Sequence, residues 1–234
     1  MLKIKNLTKR YYGSEIDAVN NLSLEIKKGE IFGLLGLNGS GKTTTFKAIT
    51  GIHPFDQGEI IVNGNNLVDN PIEAKLQIGY IPDNHATFEE LTGLEYINFM
   101  ADMYQVNVTD RMERTAQFAK LLAMEVHLNK QIRTYSHGMK QKIAIMAGII
   151  HYPNLWILDE PLVGLDPISM TEIKQFILNY VKTGKTVIFS SHILEIVHEL
   201  CDRVAIIDHG KIVALHESVN KDDLGKMFLE LVQR

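Results

Sequence analysis

The feature that most constrains this chain is a change of texture between residues 31 and 51. Ile31-Phe32-Gly33-Leu34-Leu35 is an unbroken apolar run, the pattern of a strand buried on both faces. It stops at Gly36-Leu37-Asn38-Gly39-Ser40-Gly41, and Lys42 to Thr50 then reads as a helix closed by Gly51, with Pro54 beyond. A strand covered on both faces needs other layers above and below it. The second half continues the alternation. Strands are predicted at 155–158, 186–190 and 204–207, with helices starting near 170 and 193 between them. In the first of these helices Ile173, Phe176, Ile177, Tyr180 and Val181 share one face. The chain is therefore expected to be α/β, built on a mostly parallel sheet.

Two regions depart from that rhythm. Near the N-terminus Leu2-Lys3-Ile4-Lys5-Asn6-Leu7 and Val19 to Ile26 alternate as strands, and Glu59 to Val62 runs into Asn63-Gly64, a hairpin-turn signal. From about 84 to 135 the β-branched runs vanish and helix signals replace them. This stretch is expected to be a helical subdomain inserted into a single domain spanning 1–234. Thr92-Gly93-Leu94-Glu95 within it has capping-box spacing, as does Ser169-Met170-Thr171-Glu172 further on. Asp208-His209-Gly210 reads as a turn before Lys211-Ile212-Val213. Leu224, Met227, Phe228, Leu231 and Val232 have the spacing of a terminal helix docked on the domain.

Composition removes several classes. The formal net charge is −4, with both signs mixed along the chain, so no broad basic face for nucleic acid is expected. One cysteine, Cys201, leaves no intrachain disulfide and no zinc site built mainly from thiolates. It reads as a small buried apolar residue in a protein of the reducing cytosol. Met1 to Lys5 lacks a signal-peptide core, and the longest apolar run, Ile143 to Ile150, is far too short to cross a bilayer. Any connection to a membrane is expected to come through a partner.

The glycine-rich break carries the chemistry. Gly36, Asn38, Gly39, Ser40, Gly41, Lys42 and Thr43 fit G-x4-G-K-[ST]. The glycines let backbone N–H groups curl around phosphate oxygens, Lys42 reaches the β- and γ-phosphates, and the Thr43 hydroxyl ligates Mg²⁺. A buried strand before the loop and a helix after it are the context this motif requires. A second feature is Leu155-Trp156-Ile157-Leu158-Asp159-Glu160, an apolar strand ending in two acids. If both strands share one parallel sheet, ligands bind beyond their carboxyl ends, and Asp159 falls near the loop to hold Mg²⁺. Glu160 is then set to polarise an attacking water.

Those two motifs fit many P-loop NTPases. Tyr135-Ser136-His137-Gly138-Met139-Lys140-Gln141 narrows the choice. With Leu158-Asp159-Glu160-Pro161, Gly164-Leu165-Asp166-Pro167 and Ser190-Ser191-His192, the chain resembles, over essentially its whole length, the ATP-binding cassette of ABC transporters. The resemblance implies a RecA-like core with an N-terminal antiparallel β region and a helical insert. It implies Mg²⁺-dependent hydrolysis of ATP to ADP and phosphate, with two sites formed between two cassettes. Ser136, Gly138 and a helix N-terminus would face the γ-phosphate bound on the opposite cassette, and His137 and Met139 stand where the family usually has Gly and Gln. His192 would touch the γ-phosphate and hold Glu160 and the water. Asp166 would cross the dimer interface, and Thr44 would join the phosphate contacts. Tyr12, or its neighbour Tyr11, would stack on adenine. Gly79-Tyr80-Ile81-Pro82-Asp83 is similar to a segment that normally ends in Gln, with Asp83 now reaching Mg²⁺ or its water. That carboxylate, and Lys140-Gln141, are similar to bacterial drug and antibiotic-peptide exporters. The implied partners are a second cassette, identical or not, and an integral membrane permease, which would hold the chain at the inner face of the membrane. The alternative reading is an ATPase of a membrane complex that does mechanical or signalling work without cargo.

Overall fold

A computed structural model describes residues 1–83 and 88–217. The expected terminal helix with Leu224, Met227, Phe228, Leu231 and Val232 lies outside the described residues. In chain order the elements are β1 (Leu2–Arg10), β2 (Asp17–Ile26), β3 (Ile31–Leu35), α1 (Lys42–Ile49), β4 (Gln57–Val62), β5 (Asn65–Asn66), α2 (Pro71–Leu76) and β6 (Ile78–Ile81). Then follow α3 (Gly93–Met103), α4 (Val108–Leu121), a 3₁₀ turn (Ile132–Thr134), α5 (His137–Gly148), β7 (Leu155–Leu158), α6 (Pro167–Lys182), β8 (Thr186–Ser191), α7 (Leu194–Leu200), β9 (Arg203–Asp208) and β10 (Lys211–His216).

Two sheets result. The first is antiparallel, in the order β2-β1-β4-β5. Its last hairpin pairs Val62 with Asn65, and Asn63 and Gly64 both have positive φ, 48° and 87°. That is the two-residue turn whose twist matches paired strands. The second sheet runs β10-β9-β3-β8-β7-β6, all parallel except the terminal hairpin strand β10. Period-two alternation divides its residues between two cores. Leu34, Ile157, Ile188 and Ala205 pack with α1 and the antiparallel sheet, whereas Leu35, Trp156, Leu158, Phe189 and Ile206 pack with the helices of the other face. Trp156 is fully buried, with its ring 5.3 Å from Tyr180 and 5.9 Å from Phe176. Truncating such a residue costs about 3–5 kcal/mol.

The helical stretch begins at Thr92, which caps α3 in a full capping box: Thr92 N donates to Glu95 Oε2 at 2.8 Å, and Glu95 N donates to the Thr92 hydroxyl at 3.2 Å. Ile97, Ala101, Phe118 and Ala119 bury one face of this helical arm against Ile143 and its neighbours on α5. At its far end the Tyr104 ring stacks on His151, 3.7 Å between centroids. The second capping-box signal misleads. Helix α6 starts at Pro167, two residues before Ser169, because Asp166 caps it by accepting from the N–H groups of Ile168 and Ser169 and Pro167 occupies the first turn. Glu172 instead forms an ion pair with Lys142, which ties α6 to α5. Among the described residues no helix is long and apolar enough to cross a membrane. The Cys201 thiol lies against Gly33, where a Cβ would stand 2.7 Å from it, and burial pushes its pKa well up.

Candidate active site

The carboxyl ends of β3, β8 and β7 lie side by side, and each delivers one part of the site. After β3 the chain coils through the glycine-rich loop. Gly36 must be glycine, since a Cβ there would stand 2.5 Å from the Ile207 carbonyl oxygen. Gly41 has φ 109°, and a Cβ on it would meet the Ala18 carbonyl at 2.5 Å. Gly41 is also the N-cap of α1 and offers no side chain to the helix's first N–H groups. Those donors and the helix dipole are what an anion requires. Ser40, within the loop, is buried. Asn38, Gly39, Gly41, Lys42, Thr43 and Thr44 line a cavity of about 180 Å³ together with Asp83 and Glu160.

The acids come from β7. Asp159 is 1% exposed, and burial raises its pKa against the hydroxyls of Ser190 and Thr43, which lower it. Ser190 donates to Asp159 Oδ1 at 2.6 Å, whereas Oδ2 is buried with no hydrogen-bond partner. Glu160 has φ 50°, a left-handed conformation that a non-glycine residue adopts only under constraint. The constraint is visible: Glu160 N donates to the Ser190 hydroxyl at 2.9 Å. The turn throws the Glu160 carboxylate toward the loop, with Oε1 3.4 Å from Lys42 Nζ and Oε2 3.1 Å from His192 Nδ1. Lys42 also donates to the carbonyls of Gly36 and Leu37, at 2.8 and 3.1 Å.

A second cleft of about 360 Å³ adjoins the first, and Glu160, His192, Asn38, Asp83 and His137 all line it. Ser136, Gly138 and Asp166 line neither of these two clefts, although His137, between the first two, lines the second. Ser136 caps α5 by accepting from Met139 N at 3.3 Å. Gly138 packs so tightly on α6 that a Cβ would stand 2.5 Å from the Ser169 hydroxyl and 3.2 Å from Asp166 Oδ2. The two tyrosines differ. Tyr12 is fully exposed, whereas the Tyr11 hydroxyl lies 3.2 Å from that of Thr44. Reading the sequence missed Ser190 as the partner of Asp159. A serine at a strand end gives no signal by itself.

The donor set fits Mg²⁺. Among the described residues no cluster of three His, Cys, Asp or Glu side chains is built to hold a metal alone. Mg²⁺ in phosphoryl-transfer sites is held by one or two carboxylates together with phosphates and water, and Asp159 Oδ2 beside Thr43 supplies such an oxygen.

A parallel sheet, a glycine loop opening onto an uncapped helix N-terminus, and two acids on a nearby strand end define a nucleoside-triphosphate-hydrolysing P-loop protein. Comparison with known proteins narrows this. The profile of the ABC transporter family matches residues 19–163. The linearmycin resistance ATP-binding protein LnrL of Bacillus subtilis is 40% identical over 215 residues, covering 92% of this chain and 68% of that protein. The ABC transporter ATP-binding protein NatA of the same organism is 33% identical and covers 100% of this chain and 99% of NatA. A solved ATP-binding subunit of an ABC transporter superposes with a TM-score of 0.89 at 29% identity, over 99% of both chains. A dimeric ATP-binding cassette in a post-hydrolysis state with ADP and phosphate gives 0.83 at 25% identity, over 94% of this chain and 100% of that one. The chain belongs to the ABC transporter family as an ATP-binding cassette. It binds and hydrolyses ATP as the ATPase subunit of a transporter, and a second cassette and a membrane subunit are its general partners.

Proposed function

We propose that this cassette drives export of a drug-like or antibiotic compound through a separate membrane permease, with the chain held at the cytoplasmic face. The observation that carries the hydrolytic reading is the Glu160 carboxylate, set between Lys42 and His192 beside the phosphate loop. The backbone of Gly36 to Gly41 cradles the phosphates, and Ser40 and Thr44 support them. Lys42 turns from Glu160 to the β- and γ-phosphates. Glu160, freed of its cation, accepts the proton of the attacking water, and His192 fixes the carboxylate and meets the γ-phosphate. Thr43 and Asp159, with Asp83 toward the water shell, would hold Mg²⁺, which would supply positive charge to the phosphate oxygens. Tyr12 covers the adenine. Its complete exposure suits a ring that waits for a flat partner.

Ser136, Gly138 and Asp166 act in trans. None of the three lines the phosphate loop's cavity, which supports this division. A second copy or a related cassette would bring them to the opposite nucleotide, so that ATP joins the pair. The helical subdomain at 84–135 and the Asp83 segment form the docking surface for the permease. Export is supported by the resistance function in the name of LnrL. The test is Lys42→Ala in the purified chain. ATP binding should weaken and phosphate release should stop, and the wild-type chain, tagged in its own host, should copurify with a multi-span membrane protein. Unchanged turnover would refute the hydrolytic reading, and the absence of any membrane partner would refute the transport reading.

A further inference from the structure

Tyr80 of β6 lies opposite Ile157 of β7 in the parallel pairing. Asp159 follows two residues after Ile157, and Asp159 N continues the pairing by donating to the Ile81 carbonyl at 2.9 Å. Side chains two apart on a strand share a face. Tyr80 and Asp159 are therefore diagonal neighbours on the face that packs with α1, and an aromatic side chain is long enough to span such a diagonal. The Tyr80 phenol oxygen is buried and has no hydrogen-bond partner, as is Asp159 Oδ2. Their chemistry is complementary, since a phenol donates and an ionised carboxylate only accepts. Burial raises the Tyr80 pKa, and the charges of Asp159 and Asp83 raise it further. Two buried polar atoms left unpaired are costly, and one water hydrogen-bonded to both would satisfy them.

We propose that Tyr80 is a positioning residue for the hydrolytic site: through one ordered water its phenol donates to Asp159 Oδ2 and holds that carboxylate in the orientation that meets the metal. Ser190 holds the other oxygen, Oδ1, at 2.6 Å. Asp159 is thus fixed from two strands, β6 and β8, and its free lone pair is aimed rather than left to rotate. Such outer partners typically change metal affinity by about 10–100-fold. The inference rests on the reading of Asp159 as the carboxylate on the metal's side.

Mn²⁺ serves as the probe, its binding to the ADP-loaded chain measured at equilibrium by electron paramagnetic resonance. Tyr80→Phe should raise the Mn²⁺ concentration for half-occupancy about tenfold. ADP affinity in EDTA and the thermal midpoint should stay unchanged. Asp159→Asn is measured beside it. If Asp159→Asn weakens Mn²⁺ binding and Tyr80→Phe does not, the role of Tyr80 is refuted and the metal reading stands. If Asp159→Asn has no effect, the metal reading itself fails and this inference with it. A Tyr80→Phe chain that becomes more stable while binding Mn²⁺ normally would mark the phenol as an uncompensated buried group without a positioning role.

Discussion

Glu160→Gln separates shape from basicity at the centre of the site. The amide fills the same volume on the same left-handed backbone, φ 50°, and still reaches His192, whose Nδ1 is 3.1 Å from Oε2. What it loses is the proton acceptor and the charge 3.4 Å from Lys42 Nζ. Lys42 keeps the carbonyls of Gly36 and Leu37, at 2.8 and 3.1 Å, so the loop retains its main support. The fold should therefore survive, and nucleotide should bind at least as well, because Lys42 no longer has to leave a carboxylate. Loss of a general base lowers the rate by at least about a hundredfold, a barrier increase of about 2.7 kcal/mol. Phosphate release at saturating Mg-ATP gives the rate, and size exclusion with ATP shows whether a stalled dimer accumulates. Turnover at the wild-type rate would mean that another group activates the water, and the assignment of Glu160 would be wrong.

Two further outcomes follow from the geometry. If Asp83 serves the metal's water shell, Asp83→Ala should raise the Mg²⁺ concentration for half-maximal turnover, with Asp83→Asn between it and the wild type. Superimposable Mg²⁺ titrations would refute that role. His151 gives a pH signature: burial lowers its pKa from 6.5 to about 4, although Nε2 lies 3.0 Å from the Ile78 carbonyl. As pH falls from 6.5 toward 4 the unfolded chain takes up this proton and the folded chain does not. Stability should therefore drop over that window by about 3 kcal/mol and be insensitive to this group above it. His151→Phe keeps a ring for Tyr104 and should flatten the fall, read from urea midpoints near neutral pH and at about pH 5. An equally steep fall in the variant would assign the acid sensitivity elsewhere.

Much of this molecule is legible in its sequence because backbone needs leave residue-type marks. Gly36 and Gly41 are required by carbonyls at 2.5 Å, and Asn63-Gly64 by a turn with two positive φ angles. The apolar run of β3 marks a strand with cores on both faces. The start of α6 was not legible at the right residue. Two caps are available there, Ser169 with Glu172 and Asp166 with Pro167; Asp166 caps the helix, and Glu172 is engaged across the chain by Lys142 of α5, a contact local spacing does not show. Contacts between neighbouring strands were also hidden. Ser190 bonded to Asp159 and Tyr80 beside it depend on the order β8-β7-β6, which local spacing does not encode. The left-handed turn at Glu160 is invisible for the same reason, since it is stabilised by a serine 30 positions away.

The central claim is that each hydrolytic site joins the phosphate loop of one cassette to Ser136 of another. It is tested most directly by mixing two inactive variants. Lys42→Ala disables a chain's own loop, and Ser136→Arg disables what that chain offers its partner. If the chain pairs with itself, a mixed dimer holds one site with both faults and one site with none. Half the dimers in an equal mixture are mixed, so phosphate release should recover to about a quarter of the wild-type rate, by the symmetry of a two-fold pair. A mixture as inactive as either variant alone would contradict a shared site in a dimer of this chain.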